Sequence, residues 1–187
     1  MSGNPITMTK PIENDRILRI LALVGFQLIL ICILILLSEK PSNSYEGSIY
    51  DALSWYFWLS LIASFLIGIL LILMSVLRNN GRAREMQFGF VILLLTNLIL
   101  LIIPLARGYY AFGREDPMSH LGWVNDIVNS SKIGINDIYP IDHLIAAIFS
   151  IMTSIESRFS TFLNPTLFSI IYILAFVCLA RFILGKK

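Results

Sequence analysis

Charge is what this sequence has least of. Only 14% of its 187 residues are Asp, Glu, Lys or Arg, against 57% hydrophobic, and the formal net charge is +2. So slight a positive balance does not suggest a nucleic-acid partner, whose phosphates call for a basic patch or stripe. Cysteine is almost as scarce. Cys32 and Cys178 both lie inside apolar runs, where a thiol behaves as a small hydrophobe, and the pair has neither metal-ligand spacing nor a disulfide-rich setting. Internal repeats, heptad arrays and low-complexity tracts are missing too. No ionisable residue stands at the centre of any apolar run, which argues against an ion- or proton-coupled carrier of small solutes, because such proteins hold carboxylates or histidines at membrane depth.

What is present is helix suited to hydrocarbon. The apolar residues are collected into uninterrupted runs, so the expected fold is all-α: a polytopic transmembrane bundle forming one membrane domain over 1–187. Four runs, 17–37, 52–77, 86–106 and 166–184, supply the roughly 20 residues that cross a bilayer about 30 Å thick. The first ends in Ser38-Glu39-Lys40-Pro41 without a small-residue cleavage pattern and reads as a retained anchor. A fifth stretch, 141–155, is short for a span and suits a re-entrant or juxtamembrane helix, although a full crossing would make five spans.

Positive charge sets the expected orientation in the cell membrane. Lys10, Arg16 and Arg19 precede the uncharged part of the first span, which begins at Ile20, and Arg78, Arg82 and Arg84 fill the second connection, so the N-terminal tail (1–16) and that connection are expected to be cytoplasmic. Segments 38–51 and 107–140 are then external. Four spans also keep Arg181, Lys186 and Lys187 inside, whereas five would move them outside. Trp55, Tyr56 and Trp58 form an interfacial belt at the external end of the second span. Gln27, Ser60, Ser64, Thr96 and Asn97, the polar residues of the spans, suit hydrogen bonds between helices.

The 107–140 loop holds four of the twelve acidic residues and one of the two histidines, so any chemistry is expected there. Asp116-Pro117 followed by Leu121, Val124, Ile127 and Val128 at helical spacing predicts an amphipathic helix over 117–129 on the membrane surface, with Asp116 as its N-cap. His120 falls one turn after Asp116, while Asp126 lies on another face and is expected to be solvated. Gly108, Gly113 and Gly122 suit turns or plain flexibility. Tyr109, Tyr110, Phe112 and Trp123 suit headgroup anchoring or stacking on a sugar ring. Arg107 and Arg114 stand at phosphate level, able to clamp a phosphate or simply to snorkel. Tyr139-Pro140 opens the fifth apolar stretch, with Asp142 and His143 in its first turn. Two Asp/His pairs, Asp116/His120 and Asp142/His143, are compatible with a divalent ion but lack a specific ligand spacing, so no cofactor is assigned. Asn129-Ser130-Ser131 matches the glycosylation sequon.

The run Gly113-Arg-Glu-Asp-Pro-Met-Ser-His, followed by Ile138-Tyr-Pro-Ile-Asp-His-Leu-Ile-Ala-Ala, resembles the N-terminal part of the GT-C fold membrane glycosyltransferases, which use polyprenyl-phosphate-linked sugars. Asp116, the 121–128 stripe, Tyr139-Pro140, the 144–155 segment and Ala180-Arg181 carry the likeness, mainly within 107–184. Segment 44–52 and the Tyr109–His120 stretch also resemble archaeal multi-span proteins placed near that family. The resemblance implies sugar transfer on the external face, with Asp116 as general base and Arg107 or Arg114 stabilising the departing lipid phosphate. His120, Tyr139 and His143 complete the substrate-binding candidates. It also implies a polyprenyl-phosphate sugar donor and membrane lipid as partners, and a chain that is either the first part or a shortened relative of such an enzyme. The rival expectation is a non-catalytic multi-pass subunit or scaffold whose loop docks a lipid headgroup or a further membrane subunit.

Overall fold

The computed structural model describes residues 11–41, 48–77, 83–111 and 116–184. Among the described residues there are six helices and no strand: α1 (Pro11–Ser38), α2 (Trp55–Leu77), α3 (Ala83–Ala106), α4 (Asp116–Ser130), α5 (Pro140–Thr153) and α6 (Ser157–Leu184). Helices α1, α2, α3 and α6 are long and apolar enough to cross a membrane. The 14 residues of α5 rise only about 21 Å, short of the roughly 30 Å of a hydrocarbon core. The architecture is therefore four spans plus one short apolar helix. Its surface agrees, since Ile17, Leu30, Leu59, Leu66 and Phe176 are exposed large hydrophobics that only lipid solvates well. Arg78, Arg82, Arg114, Lys186 and Lys187 lie outside the described residues, as do Lys10, Phe112 and Gly113.

The chain divides into two compact units, Met1–Leu34 with Trp55–Thr96, and Ile35–Ser54 with Asn97–Lys187. In the first, α2 and α3 meet where side chains are smallest. A Cβ built on Gly89 would stand 2.6 Å from the Gly68 carbonyl oxygen, so these two helices come closer than any larger residue allows. One helical turn before Gly68, Ser64 Oγ lies 3.2 Å from Thr96 Oγ1, both buried. Each hydroxyl also bonds a carbonyl of its own helix, Ser64 to Leu61 and Thr96 to Ile92. The expected role of these span hydroxyls is thus met. Phe57, Leu71 and Ile92 fill the remaining interior, all wholly buried.

In the second unit the end of α3 is closed by a glycine cap. Gly108 has φ +71°, its N–H donates to Leu105 O at 3.0 Å, and Tyr109 N–H reaches back to Pro104 O at 2.9 Å. This pair of backward bonds is the Schellman arrangement, which requires a left-handed residue. Gly108 therefore has a defined structural duty rather than general loop flexibility. Helix α4 packs on α5 and α6, and α5 packs on α6. The α4 stripe of Leu121, Val124 and Ile127 is buried. Val124 and Ile127 close against Ala146 and Ala147 of α5, with Val128 and Leu144 at the edge. The stripe is therefore covered by protein rather than laid on the membrane surface.

Two helix starts differ most from the sequence expectation. Helix α1 starts six residues earlier than 17, because a charged first turn outside the hydrocarbon interrupts hydropathy without interrupting the backbone. Helix α6 starts at Ser157 rather than 166 and runs through Pro165. Helix α4 is described from Asp116, and the residue before it lies outside the described residues.

Candidate functional site

The site is built where α4, the 131–139 connection, α5 and α6 converge. Asp137 stands at its base. Its Oδ1 accepts the backbone N–H of Tyr139 at 2.9 Å, an Asx turn that hands the chain to Pro140 and so starts α5. The same Oδ1 lies 2.7 Å from His143 Nδ1, and both side chains are 1% exposed. Asp137 Oδ2 is buried without a hydrogen-bond partner. A buried carboxylate is costly unless positive charge or donors meet it, so the His143 N–H is held firmly.

That bond fixes the rest of the array by donor and acceptor accounting. With Nδ1–H committed to Asp137, neutral His143 has its lone pair on Nε2. His143 Nε2 lies 2.5 Å from His120 Nδ1, so His120 donates there and presents its own Nε2 lone pair beyond. Asp116 Oδ2 stands 3.4 Å from His120 Nε2, one helical turn away, with its side chain 82% exposed. A line of hydrogen bonds therefore runs from a buried carboxylate through two imidazoles, and the solvated Asp116 carboxylate pairs with its outer end when His120 Nε2 carries a proton. Two aromatic rings hold His120 in place: Trp123 edge-on at 5.8 Å and Tyr139 tilted at 5.5 Å between centroids.

Asp142 flanks this line. Asn164 of α6 donates to both its carbonyl, at 2.7 Å, and its Oδ1, at 2.8 Å. His120, Asp142 and His143 line a cavity of about 190 Å³ together with Pro117, Val124, Thr161, Asn164 and Pro165. Among the described residues lining it there is no Lys or Arg. One potential ligand atom from each of His120, Asp142 and His143 lies within 4.8 Å of the others. Chemically the arrangement offers a base whose proton can be passed inward, and a set of electron-rich atoms facing one space.

The structure thus brings Asp116, His120, Tyr139 and His143 together, and sets Arg107 apart. The Arg107 side chain is buried, its Nη1 bonding Lys40 O at 2.6 Å and lying 3.7 Å from Glu39. It braces the segment after α1 rather than facing a ligand. Arg114 lies outside the described residues. Asp126 is exposed on the far face of α4, as expected. Asp137, Asn164 and Arg158 are functional candidates that sequence reasoning passed over. Arg158 lines a second cavity of about 540 Å³ with Tyr110, Asn125, Asn129 and Glu156. Its guanidinium carbon is 4.3 Å from the Phe159 ring centroid, and its Nε pairs with Glu156 at 3.0 Å. A signal for Asp137 was available in Asp137-Ile-Tyr-Pro, where an Asx turn followed by proline announces a helix start. The turn alone, however, explains that aspartate without a site.

No protein-family model matches this chain, and no curated protein or solved structure is similar to it.

Proposed function

We propose that this multi-pass protein is a membrane enzyme, or part of one, whose reactive centre is the Asp116–His120–His143–Asp137 line. The reaction that fits the sequence resemblance is sugar transfer from a polyprenyl-phosphate donor to a hydroxyl. The acceptor oxygen forms a bond to the anomeric carbon, the bond from that carbon to the lipid phosphate breaks, and the hydroxyl proton passes to His120. The observation that supports this reading is the buried Asp137 carboxylate on His143, because that bond fixes the His143 tautomer and turns its Nε2 lone pair toward His120. Asp116, the base implied by the resemblance, becomes the outer carboxylate that stabilises a protonated His120. Arg158, rather than Arg107, is the guanidinium placed beside a cavity to meet a lipid phosphate. Lys10, Arg16 and Arg19 near the start of α1, and Arg78, Arg82 and Arg84 around the connection from α2 to α3, support an N-terminus in the cytoplasm and a site on the external face of the cell membrane.

The test is sugar transfer in membranes carrying His120→Gln or Asp116→Asn. His120→Gln is expected to lower the rate about 10²- to 10⁴-fold, and Asp116→Asn by less, since His120 can still be charged without it. Folding is checked by thermal unfolding of the same variants. A second reading, a non-catalytic subunit that associates with further membrane proteins, is favoured by one observation: the line of hydrogen bonds also ties α4 to α5. Transfer unchanged by both substitutions, with stability lowered, would select it.

A further inference from the structure

We infer that His120, Asp142 and His143 form a binding site for one divalent transition-metal ion of the zinc class. The inference rests on the reading of this cluster as the reactive centre, and it adds the ion that the centre would use.

Three independent features point the same way. The first is convergence: three ligand atoms of the types that such ions prefer, two imidazole nitrogens and a carboxylate oxygen, lie within 4.8 Å of one another at the wall of a cavity. The second is support from behind. Histidines that bind metal hold their other ring nitrogen on a carboxylate or carbonyl, which fixes the tautomer and raises the basicity of the ligating nitrogen. His143 has that partner in Asp137, and Asp137 Oδ2 is buried without a donor, so the pair is left with more negative charge than one imidazole N–H balances. Asp142 has an equivalent support in Asn164, which occupies Oδ1 and leaves Oδ2 for a ligand. The third is charge. Asp116, Asp137 and Asp142 surround two imidazoles that are neutral unless protonated, and none of the described residues lining the cavity is Lys or Arg.

Geometry allows the ion with little movement. The facing nitrogens of His120 and His143 are 2.5 Å apart, close enough to share a proton. Bound to one tetrahedral ion at about 2.0–2.1 Å each, they would stand about 3.3 Å apart. His143 is wholly buried and fixed, whereas the His120 side chain is 24% exposed and lies beside the cavity. The opening therefore falls to the His120 ring, which meets Trp123 and Tyr139 through ring contacts. Nitrogen ligands disfavour magnesium and calcium, which take oxygen. Three protein ligands leave a fourth position for water or a substrate oxygen, the arrangement of catalytic rather than structural zinc.

The experiment uses the full chain purified in detergent, stripped with a chelator and titrated with Co²⁺, whose visible absorption reports its ligands, followed by displacement with Zn²⁺. One equivalent is expected, with tetrahedral-type absorption that zinc abolishes. His120→Gln and Asp142→Asn, both at partly exposed positions, are expected to weaken binding at least about 100-fold, and Asp137→Asn about 10- to 100-fold. Asp126→Asn, on the exposed far face of α4, should bind as the parent does. Circular dichroism confirms helix content in each variant. Uptake that does not saturate, or equal affinity in the parent and in folded His120→Gln and Asp142→Asn, overturns the site. The two readings fail separately: saturable binding with transfer indifferent to His120→Gln sinks the enzyme but keeps the ion, and the reverse result sinks the ion but keeps the enzyme.

Discussion

The two units solve the same problem, joining helices in or beside lipid, by opposite means. Between α2 and α3 the contact is made by leaving atoms out: Gly68 and Gly89 let backbones meet, and Ser64 and Thr96 join two hydroxyls that also bond carbonyls of their own helices. Between α4, α5 and α6 the contact is made by adding charge, with Asp137, His143 and His120 linked in one line and Asn164 holding Asp142 beside it. The first solution depends on shape and is indifferent to chemistry. The second carries a buried carboxylate whose cost packing alone does not require, because Val124, Ile127, Ala146 and Ala147 already close α4 onto α5. The proposed reactive centre draws on that carboxylate.

If that contrast is right, substitutions in one unit should leave the other's signature untouched. The largest stability effect is expected for Asp137→Ala. It removes one partner of a buried pair and leaves His143 without its acceptor, at a cost of about 3 kcal/mol. Hydrogen exchange should rise at Tyr139 and His143 and stay constant around Gly89. A loss that spread equally over both units would erase the distinction. Gly89→Ala comes next, at about 2 kcal/mol, because the new methyl meets a backbone carbonyl that cannot swing away. Its thermal midpoint in detergent should fall while the histidine resonances of His120 and His143 keep their shifts. Asn164→Ala should cost about 1.5 kcal/mol, since it withdraws two hydrogen bonds from Asp142, one of them to a carboxylate. Asn164→Asp would sharpen the result, because it places a second anion against Asp142 and should be worse than alanine. The smallest effect is expected for Thr96→Val, about 0.6 kcal/mol, as hydrogen bonds between spanning helices are worth little and Ser64 keeps its bond to Leu61. A Thr96→Val cost as large as that of Asn164→Ala would show that polar contacts matter equally in both units.

Membrane-spanning helices announce themselves in sequence because lipid forces some twenty consecutive residues to agree. That is why four spans and one short helix were legible, down to the α5 start at Pro140. Position along a helix was less so. Nothing local showed that the chain stays helical through Pro165, whose support comes from Asn164 reaching back 22 residues to Asp142. The site divided along the same line. His120, His143 and Asp116 could be picked out as the polar residues of an apolar chain. Their order in a line could not, since the link between the histidines spans 23 positions and depends on α4 folding over α5. Arg107 misled for the converse reason: an arginine just after a span reads as facing lipid headgroups, yet its partner is a carbonyl 67 positions earlier.

Proline inside α6 has a mechanical meaning for that site. Pro165 has no N–H to offer the Thr161 carbonyl, and its ring crowds the preceding turn, so bending stiffness along α6 is lowest between these residues. Both line the cavity, beside the Asn164 that grips Asp142. The joint lies between the turns that belong to the site and those that must follow the bilayer. When a spanning helix tilts to match a thinner or thicker membrane, the strain is absorbed at its softest turn. Pro165 thus follows directly on the residue that holds α6 to α5, so a change of helix direction there falls next to the Asn164–Asp142 contact and not within the histidine pair, which α4 and α5 supply.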